Sequence, residues 1–61
     1  MNNWIPTTST LPPEGKIIET KIDSNGEVRN IQKLIRKGNL WWQTDMVMYV
    51  YYTPTHWRYL N

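Results

Sequence analysis

"EVRNIQKLIRK", residues 27–37, decides the fold because it carries signals for both regular structures. Val28, Ile31, Leu34 and Ile35 recur at helical spacing. Ser24 and Glu27 could form a capping box, and Gly38 stands where a helix C-cap would fall. The preceding residues argue the other way. "KIIETKI", residues 16–22, places β-branched side chains at Ile17, Ile18, Thr20 and Ile22, which suit a pleated strand. Asn25-Gly26 is then a hairpin signal, since both residues tolerate the positive φ of a type I′ turn. A helix from Glu27 would put Gly26 inside its first turn and leave the first strand without a near partner. The sequence therefore reads as a strand over 27–37, bulged where its apolar alternation breaks, with a helix over the same residues as the alternative.

Working outward, "KGN" at residues 37–39 is a second turn. Leu40 to Gln43 reads as a short strand, Thr44-Asp45 as a connection, and Met46 to Tyr52 as another strand. There Met46, Met48, Val50 and Tyr52 would face one way and Val47, Tyr49 and Tyr51 the other, so both faces are apolar or amphipathic. Leu40, Met46, Met48 and Val50 are expected to supply the core. Trp41 and Trp42 must point to opposite faces, which makes one a core residue and the other an interface residue. Residues 1–15, "MNNWIPTTSTLPPEG", contain Pro6, Pro12 and Pro13 and form neither helix nor central strand. Trp4 and Leu11 are expected to lie from this arm across the core. The fold class is mainly β: one domain over 1–61, a small antiparallel meander of three to four strands over 16–52, the irregular Pro-containing N-terminal arm, and a tail over 53–61 packed on the sheet.

A chain of 61 residues buries only roughly 60% of the surface its unfolded state exposes. Disulfides cannot supply the deficit, because there is no Cys, and His56 is the only imidazole available to a structural metal. No metal or cofactor is expected; a homo-oligomer is, with Trp and Tyr shared between copies. No signal peptide is evident, and the apolar run Met46 to Tyr52 is far short of the roughly 20 residues that span a bilayer. The expectation is a soluble cytoplasmic protein with no membrane partner. The net charge of +2 is mild. Although Arg29, Lys33, Arg36 and Lys37 gather in one segment, a nonspecific nucleic-acid binder would carry a denser basic patch.

"WIP" at Trp4 to Pro6, "LPPEGK" at Leu11 to Lys16, Gly-x-x-Trp at Gly38 to Trp41, and "THW" at Thr55 to Trp57 followed by Leu60 run in order through nearly the whole chain. This pattern resembles the small phage and prophage family termed domain of unknown function 551. The family's closing His-Trp-x-Pro-Leu-Pro is here replaced by Arg58, Tyr59, Leu60 and Asn61 after the Trp. The resemblance implies a compact β-rich accessory protein encoded by a phage or prophage, acting in the bacterial host, and supplies no activity.

For catalysis, His56 would need an orienting carboxylate and a nucleophile within reach. Asp23 and Asp45 are the only Asp residues, and no phosphate loop or nucleophile elbow is present. The chain is read as non-enzymatic, with no catalytic residue and with His56 pinning the tail. Binding fits better. Trp41, Trp42, Tyr49 and Tyr51 offer faces on which bases stack, and Arg29, Arg36, Lys37 and Arg58 can answer phosphate charge. Three functional expectations follow: a protein that counters host defence by sequestering a nucleotide immune signal in a basic, aromatic-lined pocket between subunits, an inhibitor capping a host defence protein through a Trp/Tyr/Met surface with an Arg rim, or a small nucleic-acid-binding accessory protein.

Overall fold

Residues 27–37 are a strand. The computed structural model describes residues 3–60, and the helix alternative has no counterpart among them. Six strands form one antiparallel sheet: β1 Ile5–Pro6, β2 Ile17–Ser24, β3 Glu27–Lys37, β4 Leu40–Trp42, β5 Tyr49–Val50 and β6 His56–Tyr59. Their order across the sheet is β1-β6-β2-β3-β4-β5. Met1 and Asn2 of the expected arm, and Asn61 of the expected tail, lie outside the described residues.

The β2–β3 hairpin turns at Asn25-Gly26, with φ of 55° and 78°, as the I′ geometry demands. The expected bulge is also present. Thr20 pairs with Gln32 and Ile22 with Arg29, so Asn30 and Ile31 together oppose Lys21, and Asn30 takes a φ of 55°. This extra residue accounts for the helix-like spacing. Leu34 pairs with Ile18 on one face and Ile35 with Ile17 on the other, while Val28 and Ile31 remain exposed. Period and bulge together mimic a helical stripe.

The core lies on one face of the sheet. Ile18, Leu34, Trp41 and Trp57 are buried together, with Ile5 and Val50 packed against them. Register explains the grouping, since Ile18 pairs with Leu34, Thr20 and Ile5 with Trp57, and Trp41 with Val50. Thr20 is fully buried but donates its hydroxyl to Gln32 O at 3.1 Å, which removes the cost of an unpaired polar group.

The arm covers this face, although not through Leu11, which is exposed. Pro12 is the buried side chain, and backbone groups fix the arm in place. Trp57 Nε1 donates to Thr10 O at 2.7 Å, Arg36 Nε to Pro12 O at 2.8 Å, and Gly15 N to Arg36 O at 3.0 Å. The tail does not pack over the sheet; it enters it as β6, between β1 and β2. Alternation along His56–Tyr59 explains this, because the Trp57 side is apolar while Arg58 points to the other face and pairs with Glu19. The arm contributes β1 at the sheet edge, where the missing N–H of Pro6 costs no ladder bond.

The expected strand over Met46 to Tyr52 is cut to two residues. Asp45 Oδ1 accepts Val47 N–H at 3.0 Å, Met46 N donates to Gln43 O at 2.9 Å, and Met46 takes a φ of 60°. The chain therefore turns over residues 43–48, and strand geometry begins at Tyr49. Met46, Met48 and Leu40 are exposed and not in the core; of the expected quartet only Val50 is packed there. Trp4 and Trp57 occupy opposite faces, since Ile5 is the residue that pairs with Trp57.

Left-handed backbone at Asn30 makes this residue diagnostic for the bulge. Asn30→Gly is expected to leave urea stability within a few tenths of a kcal/mol, whereas Asn30→Val costs about 1–2 kcal/mol, measured as a shift in midpoint at constant m-value.

Candidate functional site

Three local arrangements carry the polar and aromatic side chains. The first is a pair of adjoining concavities at the β3–β4 end, each about 300 Å3, which share Asn39, Trp41 and Thr53. One adds Leu11 and Arg36, the other Leu40, Val50, Tyr51 and Tyr52. The Gly38–Asn39 turn creates the opening. Lys37 pairs with Leu40, and Gly38 supplies the positive φ, 60°, at the first turn position. Arg36 borders the groove with Nε on Pro12 O and Nη1 on Gly38 O at 2.9 Å, leaving the rest of the guanidinium's donor fork. Tyr52 is anchored through its hydroxyl, which accepts from Gln32 Nε2.

The second arrangement is a row across the face opposite the core. Ile17, Ile35, Trp42 and Tyr49 are consecutive cross-strand partners on β2, β3, β4 and β5. Trp42 meets Tyr49 edge-on at 5.2 Å between centroids, and Tyr49 meets Tyr51 edge-on at 5.3 Å. Such contacts favour fixed ring positions. Ile35 is buried beneath them, yet Tyr51 is 86% exposed.

The third lies at the opposite end of that face. The Trp4 ring has Arg58 Cζ at 4.1 Å and Lys21 Nζ at 4.7 Å from its centroid. Arg58 Nε also donates to Glu19 Oε1 at 2.7 Å, and Lys21 Nζ lies 3.5 Å from Asp23 Oδ2. These cations are committed to packing β1, β2 and β6 together.

The eight residues singled out from the sequence are thus divided. Trp41 lines both concavities, with Arg36 on one and Tyr51 on the other, and Tyr51 also ends the row beside Tyr49. Trp42 and Tyr49 belong to the opposite face, Lys37 is exposed at the end of β3, and Arg29 is exposed near the β2–β3 turn. Arg58 is held at the Trp4 cluster, so a single site built from all four basic and all four aromatic residues does not exist within one chain. Asn39, Tyr52 and Thr53 were not singled out, and the only sequence signal for them was the turn at Lys37–Asn39, which places Asn39 at a loop tip.

His56 has a structural partner. Its Nδ1 is 2.8 Å from Thr55 Oγ1, and the same hydroxyl accepts Asp23 N–H at 2.8 Å and donates to Lys21 O at 3.3 Å. With the hydroxyl hydrogen directed at Lys21, Nδ1 is assigned as the donor. Thr55 O in turn accepts from Thr7 N at 2.9 Å and Thr7 Oγ1 at 3.1 Å, so Thr55 joins arm, β2 and β6. Among the described residues no group of three or more His, Cys, Asp or Glu converges as a metal site, and no helix is long and apolar enough to cross a membrane. Comparison with known proteins finds no matching family model, curated protein or solved structure.

Removing the Thr55 hydroxyl leaves Asp23 N–H without its acceptor. Thr55→Val is expected to lower unfolding free energy by about 1–3 kcal/mol and Thr55→Ser by much less, read from chemical denaturation.

Proposed function

We propose that this chain is a non-enzymatic binding protein that retains a small planar anion of the nucleotide class in the groove beside Trp41. The observation carrying this reading is that Asn39, Trp41 and Thr53 line two adjoining concavities of about 300 Å3, with Arg36 on one and Tyr51 on the other. Asn39 offers amide donors and an acceptor to a base or sugar, Thr53 a hydroxyl, and Arg36 the remaining arms of a charged fork. Tyr51 stands at the rim. The resemblance to the phage and prophage family supplies the setting, an accessory protein in the cytoplasm of a bacterial host whose ligand is a nucleotide signal of host defence. Sequestration needs no proton transfer, which agrees with His56 and Thr55 being engaged in closing the sheet.

A second reading has its own observation. The row ending in half-buried Trp42 and exposed Tyr49 and Tyr51, extended by exposed Val47 and Met48, has the composition of a protein-binding hot spot. On that reading the chain caps a host defence protein.

Native mass spectrometry and a heat-released extract of protein from phage-challenged cells separate the two. Sequestration predicts a bound nucleotide of unaltered mass, with retention weakened by about tenfold or more in Asn39→Ala and Arg36→Lys, as loss of a hydrogen bond to a charged ligand implies. Trp42→Ala leaves that retention intact. A released product of altered mass makes the protein an enzyme. A stoichiometric host protein lost in Trp42→Ala, with no nucleotide bound, establishes capping.

A further inference from the structure

We infer that the free edge of β5 pairs with the same edge of a second copy, antiparallel and two-fold symmetric about Tyr49, to form one continuous sheet. This is independent of what the groove holds.

Backbone register sets the geometry. Gln43 N donates to Met48 O at 2.8 Å, and Trp42 pairs with Tyr49 and Trp41 with Val50. Hydrogen-bonded and non-bonded pairs alternate along an antiparallel ladder. Gln43/Met48 and Trp41/Val50 are thus bonded pairs and Trp42/Tyr49 is not, so the N–H and C=O of Tyr49 point away from β4. Outward N–H and C=O on one residue are self-complementary. Across a two-fold axis, Tyr49 of each copy donates to and accepts from Tyr49 of the other.

The sheet's two edges differ in a way that selects this one. β1 is blunted by Pro6, which offers no N–H, whereas from Met46 to Tyr52 there is neither proline nor charge. Natural edges are normally guarded by such residues. The net charge of +2 is carried elsewhere in the chain, so two copies meet here without opposed like charges.

Exposure is greatest around the proposed axis. Val47, Met48 and Tyr51 are 73%, 61% and 86% exposed and Tyr49 is 36% exposed. With about 150–250 Å2 for a large aromatic and less for Val and Met, these four present on the order of 400–500 Å2 per chain. Two copies together fall below the roughly 1,200 Å2 at which stable specific interfaces begin. The dimer is accordingly concentration-dependent, held by main-chain bonds and by the two Tyr49 rings adjoining on the Trp42 face.

Sedimentation equilibrium from micromolar to millimolar chain, with three forms of the protein, tests the pairing. The unmodified chain is expected to move from 7.4 kDa to twice that mass. A synthetic chain N-methylated at Tyr49 keeps every side chain and every internal ladder bond, and it should keep the circular dichroism and thermal midpoint of the unmodified chain while staying monomeric. Tyr49→Cys should oxidise to a covalent dimer, because bonded antiparallel partners lie about 5.5 Å apart at Cα, within disulfide reach, and the chain has no other Cys. An unmodified chain that is monomeric throughout, a folded N-methylated chain that still dimerises, or a folded Tyr49→Cys chain that stays uncrosslinked overturns the inference.

Discussion

The indole of Trp57 is where three separated stretches of the chain are held together. Its ring is 1% exposed within the apolar cluster, its backbone pairs with Ile5 on one side and Thr20 on the other, and its Nε1 donates to Thr10 O. Arm, first hairpin strand and last strand thus converge on one side chain. The other buried indole of the cluster, Trp41, pairs with Arg36 and Val50 and so joins different strands, and burying an indole without a partner for its N–H would carry a polar penalty. The Thr10 carbonyl removes that penalty and at the same time fixes the covering arm at its correct distance from the sheet.

The hairpin was legible because turn chemistry and β-branched residues agreed, and Asn25-Gly26 overrode the helical spacing of Val28, Ile31, Leu34 and Ile35. The bulge was legible as a break in alternation. What the sequence concealed were effects of pairing between distant segments. Nothing local in "THWRYL" distinguishes a strand from a tail laid over a sheet; the distinction comes from Thr20 and Ile5 flanking Trp57. The shortening of β5 has a local cause that alternation masked, since Asp45 captures Val47 N–H and Met46 adopts a left-handed backbone. A run of apolar residues was enough to suggest a full strand, but the turn chemistry of Thr44-Asp45 extended further than two residues.

Adjacent tryptophans gave the candidate site its form. Trp41 and Trp42 had to face opposite ways, and they separate the molecule's aromatic surface into a groove on the covered side and an open row on the other. Arg36 shares the Trp41 side because it is that residue's cross-strand partner. The remaining cations follow other demands. Arg58 balances Glu19 and stacks on Trp4, so its charge serves cohesion of the sheet, and Arg29 and Lys37 sit at strand ends where they are solvated. Composition alone could list these residues but could not sort them, because sorting needs the register.

The hydrogen bonds that tie Thr7 to Pro54 and Thr55 span 47 and 48 residues of chain. A loop of that length closes against an entropy that rises only slowly with its size, but contacts so far apart in sequence are associated with slow folding. The β2–β3 hairpin can form from its own turn, whereas the sheet's other side must wait for both outlying segments to arrive together. Until they do, Ile18 and Thr20 present a bare strand edge, and the molecule's greatest exposure to mispairing falls in that interval rather than in the finished state.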